Sequence, residues 1–363
     1  MSAEQQPLFF VGGYAPATEQ SLHAFRLDEA TGALTALGGF TGMASPSYLA
    51  AHPNGRWLYA ASEAGQSGPD SFGGVWALSY EPGESVTFET VNSQDARGTS
   101  PCHLTLDGTA RWLVFANYGT GSAGVMPVRA DGSLGELADF VQHQRSNANR
   151  PRQGEPHAHS ATMTPDNNFV IICDLGLDKL MVYALNPETG LLRLHQQAEA
   201  RPGAGPRHAA WHPDQKHLYV ANELDSTIAL YDYDADSGSL TEKQHLSTLP
   251  NRPAGASEST VADIHVTADG QRVLVSNRGH DSLAIFEIGD RGRLSLNTIQ
   301  PCGGQVPRNF QFSPGGKWVL VANQNSNEVV VLPFGDGHDP LGEPVARAAV
   351  KAPAIIHFAP NHG

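Results

Sequence analysis

Short apolar runs alternate with polar positions along nearly the whole chain, the period-two pattern of half-buried strands rather than the longer period of helices. The runs recur as one phrase: a small turn, an apolar run, a Pro/Asp/Gly turn, a second apolar run and a small polar ending. It reads SPSYLAAHPNGRWLYAASE from Ser45, SPCHLTLDGTARWLVFANY from Ser100 and, more weakly, AHSATMTPDNNFVIICDL from Ala158. The clearest copies are GPRHAAWHPDQKHLYVANE from Gly205, TVADIHVTADGQRVLVSNR from Thr260 and VPRNFQFSPGGKWVLVANQ from Val306. A seventh, APAIIHFAP from Ala352, stops after its first run. Several copies continue into a third alternating segment, such as STIALYDYD after Asp225, and then into a Gly-rich step ending in leucine, as at Leu240 and Leu294. Four short strands repeating about every fifty residues predict the blades of a β-propeller.

The incomplete seventh copy lacks the strands that LFFVGGY and SLHAFRLDEATGAL supply at the start of the chain. The expected fold is therefore all-β: a seven-bladed β-propeller, closed by pairing of the N-terminal strands with the C-terminal strand. Such closure removes exposed sheet edges. All of residues 1–363 are assigned to this one domain. The stretch from Asp139 to Pro156, rich in Gln, Asn and Arg, is too polar for a strand pair and is expected to be a loop over one face.

Composition narrows the function. The 38 Gly and 25 Pro are scattered along the chain, as turn-punctuated strands require. The three cysteines, Cys102, Cys173 and Cys302, are far apart and form no C-x-x-C pair. Neither a disulfide framework nor a thiolate zinc site is indicated. Met1 to Pro7 has neither the basic nor the apolar segment of a secretory signal, so a cytoplasmic protein is expected. No apolar stretch is long enough to span a membrane as a helix. The net charge of −14 disfavours nucleic acid as a partner and requires any anion site to be a local basic island.

Such an island follows from the repeat. The first strand of a blade is expected to line the channel and to pair with the second across the short turn. Counting outward from the turn pairs Arg207 with Glu223, Arg308 with Gln324, Ala262 with Arg278, Ser47 with Glu63, Cys102 with Tyr118 and His159 with Leu175. These positions share one end of their blades and converge on one mouth of the channel. The next residues along the first strands are Tyr48, His103, Ser160, His208, Asp263 and Asn309. Arginine, histidine and carboxylate at one concave mouth form a plausible catalytic constellation.

Each feature also has a bland explanation. Arg207 and Glu223 alone would pass for a structural cross-strand ion pair. His208 alternates away from Arg207 and is expected to pack between blades. His157 and His159 have a metal-binding spacing but no mapped third ligand, and His157 is read as a loop residue. His52-Pro53 and His212-Pro213 fall at turns on the opposite face and are read as structural. The convergence of three arginines on one mouth of an acidic chain is what the bland explanations do not cover.

The chain resembles the seven-bladed lactonase family of cycloisomerase-type 6-phosphogluconolactonases and carboxy-muconate lactonising enzymes. The stretches that carry the likeness are GAGPRHAAWHPDQKHLYVANELDSTIALYDYD from Gly203, VADIHVTADGQRVLVSNR from Val261, VPRNFQFSPGGKWVLVANQNSNEV from Val306 and EPHAHSATMTPDN from Glu155. The resemblance implies a site of His159, Arg207, Glu223 and Arg278. Leu175 and Cys102 depart from the polar residues expected at their positions.

The expected function is hydrolysis of a sugar-acid lactone, 6-phospho-D-glucono-1,5-lactone first, without cofactor or metal. His159 would act as general base, Arg207 would stabilise the oxyanion, Glu223 would fix its guanidinium plane, and Arg278 and Arg308 would hold the phosphate. His103, Asp263, Asn309 and Gln324 complete the expected substrate-binding set. Three alternatives remain: a cycloisomerase of muconate-type dicarboxylates, a protein-interaction platform, and a calcium-dependent lactonase with Asp263 and Asn309 as ligands.

Overall fold

The computed structural model describes residues 6–64, 74–144, 152–250 and 259–360. Seven four-stranded antiparallel sheets make up the fold. Blade one joins Leu8–Gly13, Gln20–Leu27 and Leu34–Thr41 to the C-terminal strand Pro353–Phe358, with Phe9 opposite Phe358 and Val11 opposite Ile356. The innermost strands of blades two to seven are Pro46–Ala51, Pro101–Leu106, Ala158–Met163, Pro206–Trp211, Thr260–Val266 and Pro307–Phe312. With Pro353–Phe358 they touch one another in a closed ring. Among the described residues, no helix is long and apolar enough to cross a membrane.

Seven apolar cores lie between successive blades. The one between blades four and five packs Ile171, Val182, Leu218, Val220 and Tyr231; the one that closes the ring packs Phe9, Val11, Leu320, Val329 and Ile356. Alternation along each strand gives one face to each neighbouring core. The small polar ending of the phrase has a structural role. The buried Asn117, Asn222 and Asn277 each donate to the hydroxyl that opens the third strand, on Ser122, Thr227 and Ser282.

At the other end of each hairpin the turn closes through one repeated bond, for example His212 N–H to His217 O at 2.9 Å and Ser313 N–H to Trp318 O at 2.9 Å. Its third step is left-handed in every copy: Gly55, Gly270 and Gly316 take it at no cost, and Ala110, Asn167 and Gln215 take it with a side chain.

Two expectations need correction. The turn is one position tighter than the counting assumed, so the predicted residue pairs are not strand partners. Pro206 faces Asn222 and His208 faces Ala221, leaving Arg207 in a β-bulge between them. The same bulge falls at Ser47, Cys102, His159 and Arg308, and a related one at Ala262 and Asp263. Secondly, the polar stretch from Asp139 is not all loop. Asp139–Gln142 is the outer strand of blade three, half-buried against its neighbour, with Phe140 and Val141 supplying its apolar positions. Residues 145–151 of that stretch lie outside the described residues.

Candidate active site

A bulge opposes two residues of one strand to one of its partner and re-aims their side chains. In blade five this brings both Arg207 and His208 to the channel, where Arg207 Nη1 donates to His208 Nε2 at 3.2 Å. His208 is therefore not packed between blades. Its ring lies 5.3 Å from that of His159 and 5.2 Å from that of His103. Its Nδ1–H donates to Asp263 Oδ1 at 2.8 Å, which fixes the tautomer and leaves Nε2 as the acceptor facing Arg207.

Glu223 is the centre of the mouth. Its Oε2 accepts from Arg207 Nε at 2.9 Å and from Arg278 Nη2 at 3.0 Å; its Oε1 lies 2.6 Å from Arg152 Nη1. Burial alone would raise the pKa of this carboxyl, but Arg278, Arg207 and Arg152 together hold it down to about 2. Burial lowers Arg278 to about 10 against the pull of Glu223, so it stays charged at neutral pH. Arg278 Nη2 also donates to Val261 O, while its buried Nε–H has no hydrogen-bond partner among the described residues. Arg207 is the most enclosed of the arginines, and Nη1 also donates to the Ala262 carbonyl.

His159 Nε2 is 3.9 Å from Glu223 Oε2, and Cys102 Sγ is 3.9 Å from its Nδ1. Burial, reinforced by Arg207, holds the His159 pKa well below the ordinary imidazole value, so the ring is neutral at physiological pH. Leu175, the apolar departure in this blade, is buried and uses its carbonyl to accept from Gln153. Across the mouth, Arg308 stands over the Tyr14 ring, 5.0 Å from its centre, with Gln324 Oε1 at 3.5 Å and Glu63 Oε2 at 3.9 Å. Tyr14 in turn donates to Glu63 at 2.6 Å.

Of the nine residues singled out from the sequence, His159, Arg207, Glu223, Arg278, Arg308 and Gln324 lie at the mouth. Asp263, Asn309 and His103 sit one layer deeper. Asp263 Oδ2 accepts from His265 Nε2 at 2.9 Å and from Asn309 Nδ2 at 2.5 Å, while the Asn309 carbonyl accepts from Ile356 N–H at 2.8 Å. These groups are committed to one another and to the inner strands. His103 stacks on Tyr48 with ring centres 3.8 Å apart, and both line an open pocket of about 240 Å³ along the inner strands. Among the described residues, the group with the closest approach to metal-ligand geometry is His212, Asp214 and His217, at the turn face rather than the mouth.

Counting from the repeat missed Arg152 and Tyr14. Arg152 comes from outside the repeat, and Tyr14 follows the strand that pairs with the C-terminal one, a position the same counting would reach once the closing blade is assembled. Among the described residues, the mouth thus carries four guanidinium groups, Arg152, Arg207, Arg278 and Arg308, against the carboxylates of Glu63 and Glu223.

A family described as "Lactonase, 7-bladed beta-propeller" matches residues 8–358. The chain belongs to this lactonase family. Among its relatives is a 6-phosphogluconolactonase of Bacillus subtilis, 34% identical over 325 residues, which span 89% of this chain and 90% of the relative. A 6-phosphogluconolactonase of Pectobacterium carotovorum is also 34% identical, across 93% of this chain and 94% of its own. Among solved lactonase structures, the periplasmic gluconolactonase of Pseudomonas aeruginosa superposes with a TM-score of 0.89 at 30% identity, covering 97% of this chain and 99% of the other. Membership in this family, with relatives named 6-phosphogluconolactonase, sets aside the interaction-platform alternative in favour of an enzyme.

Proposed function

We propose that the protein hydrolyses 6-phospho-D-glucono-1,5-lactone to the open-chain acid at the Glu223 mouth. The observation that carries this reading is the arginine surplus around one buried carboxylate, together with the Nε–H of Arg278, both taken among the described residues, where that Nε–H has no partner. A buried donor without a partner is costly unless a ligand oxygen completes it. Relatives named 6-phosphogluconolactonase at 34% identity support the substrate.

In this reading the neutral His159 accepts a proton from a water molecule as its oxygen attacks the lactone carbonyl carbon. The carbonyl electron pair moves to oxygen, and Arg207, fixed in plane by Glu223 and His208, meets the charge as it develops. The tetrahedral centre collapses, the bond to the ring oxygen breaks, and the departing oxygen takes the proton back from His159. Arg308 and Arg278 hold the phosphate. Asp263 acts by orienting His208, which in turn holds Arg207, rather than by touching substrate.

The same arginines suit a dicarboxylate, so the test is a panel of the phosphorylated lactone, unphosphorylated glucono-1,5-lactone and a muconate-type dicarboxylate. Turnover of the phosphorylated lactone above its spontaneous rate is expected. Turnover of the dicarboxylate alone would replace hydrolysis by cycloisomerisation.

A further inference from the structure

Arg152 stands apart from the other three arginines of the mouth. Arg207, Arg278 and Arg308 occupy repeat positions on strands or directly after them, whereas Arg152 belongs to the polar segment between blades three and four. That segment is pinned at both ends. His143, directly after the outer strand of blade three, is 2.5 Å from the buried carboxylate of Asp174. Gln153, 1% exposed, donates its amide to Leu175 O at 3.0 Å and to Asp178 Oδ1 at 2.7 Å. Asp178 also takes the Gly203 and Gly205 N–H groups at 2.7 and 2.8 Å, so the anchor reaches the strand that carries Arg207.

The backbone of Arg152 is left-handed, with φ of 62°. Most other side-chain-bearing residues in that region sit in the tight turns of the repeat or directly ahead of an inner strand, as Ser45, Ser100 and Val306 do before their prolines. Arg152 lies in a turn outside the repeat and precedes no inner strand directly. A side chain held in this region costs free energy and persists where the surroundings over-determine it. Here Gln153 supplies the constraint, and the outcome is the placement of a guanidinium over Glu223.

The guanidinium bridges two groups: Nη1 lies 2.6 Å from Glu223 Oε1, and Nη2 donates to Tyr118 Oη at 2.8 Å. Glu223 already satisfies Arg207 and Arg278, so a third cation on this one carboxylate leaves positive charge unmatched. That surplus faces outward. The Arg152 side chain is 45% exposed, whereas those of Arg207 and Arg278 are 2% and 14% exposed. A phosphorylated lactone carries its dianion on an exocyclic carbon, several bonds from the carbonyl, so a phosphate partner belongs outside the oxyanion donors. Arg152 is the most exposed of the four arginines described at the mouth and would join Arg278 and Arg308 on the phosphate from outside.

We propose that Arg152 is a specificity-determining residue that selects phosphorylated over unphosphorylated lactones. The inference rests on the lactonase reading above. When substrate enters, its phosphate takes the hydrogen bonds that Glu223 Oε1 and Tyr118 take in the free protein. Glu223 keeps Arg207 and Arg278 on Oε2, so the exchange leaves the oxyanion donor Arg207 and the phosphate partner Arg278 in place.

The test compares the parent protein with Arg152→Gln and Arg152→Lys on 6-phosphoglucono-1,5-lactone and glucono-1,5-lactone, with calorimetric titration of inorganic phosphate beside it. In Arg152→Gln the ratio of kcat/KM for the phosphorylated over the plain lactone should fall by roughly 10–100-fold, mainly through KM, as expected for the loss of a charged hydrogen-bonding group. Phosphate affinity should fall with it, and Arg152→Lys should recover only part of the ratio, because an ammonium lacks the fork that bridges two acceptors. An unchanged ratio would overturn the proposal, whether both rates fall together, which would make Arg152 a prop for Glu223, or neither moves. If the parent hydrolyses neither lactone, the lactonase reading fails, and the phosphate titration decides separately: equal affinity in parent and Arg152→Gln would then overturn the anion role as well.

Discussion

One hairpin, Pro206–Trp211 with His217–Asn222, carries an ionic cluster at each end, and the two differ in kind. At the turn, Asp214 accepts from His217 Nδ1 at 2.6 Å and from the Lys216 N–H at 2.8 Å, with side chains 34% and 14% exposed for the ion pair. All its partners lie within a few residues, and the cluster does what turn residues do: it satisfies backbone donors. At the mouth, Glu223 is 4% exposed and draws arginines from three separate places in the chain, Arg152, Arg207 and Arg278, with the neutral His159 ring 3.9 Å away. Residue types are similar at the two ends. The mouth differs in sequence distance and burial and, among the described residues, in an arginine surplus that its own carboxylates do not balance.

Removing Glu223 should therefore have the largest effect. Glu223→Gln strips the carboxylate from three guanidinium groups at once, and breaking a buried charge network of this kind costs about 3–5 kcal/mol. Chemical denaturation should show that loss together with collapse of lactone turnover. Parent-like stability would mean that the arginines are solvated without Glu223.

Arg207→Ala should be gentler on the fold and severe on the rate. Glu223 keeps Arg278 at 3.0 Å and Arg152, so no charge is left stranded. A missing oxyanion donor lowers kcat by roughly 10²–10³. Turnover near the parent level would assign Arg207 to architecture alone. In blade six, Asp263→Asn should lower kcat less than Arg207→Ala, because it loosens His208 rather than removing the guanidinium.

Acid should separate the two ends next. His103, His159, His208 and His357 are held neutral by burial, with His208 and His357 down at about 4 and the other two well below their ordinary value. The unfolded chain binds these protons near pH ~6.5 and the folded one does not. Their contribution to stability is therefore complete above that pH and is lost as pH falls from it towards the folded values. Tm should drop steadily between pH 7 and 5, and the acid limb of kcat with unphosphorylated lactone should lie below pH 6.5. A limb centred on 6.5 would mean that His159 is not the base or is not neutral.

The smallest effect belongs to the turn. Asp214→Ala removes an exposed pair and two backbone bonds, a change of about 0.5–2 kcal/mol in stability. Lactone turnover should stay at the parent level.

The comparison also explains what the sequence made legible. The blades were readable because each repeats the same alternation and the same turn, and the mouth residues of blades four to seven were readable because the repeat phases them. The bulge was not. It depends on a one-residue difference in turn length that alternation alone does not register, and it turned His208 from an interblade residue into the partner of Arg207. Asp263 and Asn309 were placed on the right strands, but their polar atoms are spent on His265, His208 and Ile356. Arg152 was illegible for the opposite reason: it lies where the repeat is interrupted, and only the anchoring of Gln153 by Asp178 aims it at the mouth. The signal that points to it is the arginine itself, next to a buried glutamine in an otherwise acidic chain.

The pairing of Pro353–Phe358 with Leu8–Gly13 has a temporal consequence. The first blade to leave the ribosome is the last to be completed, because its innermost strand is encoded some 340 residues downstream. Until that strand arrives, the Phe9 and Val11 face has no Ile356 to cover it, and Asn309 has no Ile356 amide to accept. Contacts of such long sequence separation form late and slowly. A chain without that strand is an open arc with two apolar ends, and the Glu223 mouth, whose deep layer leans on the final strand through Asn309 and Asp263, is completed in the closing step.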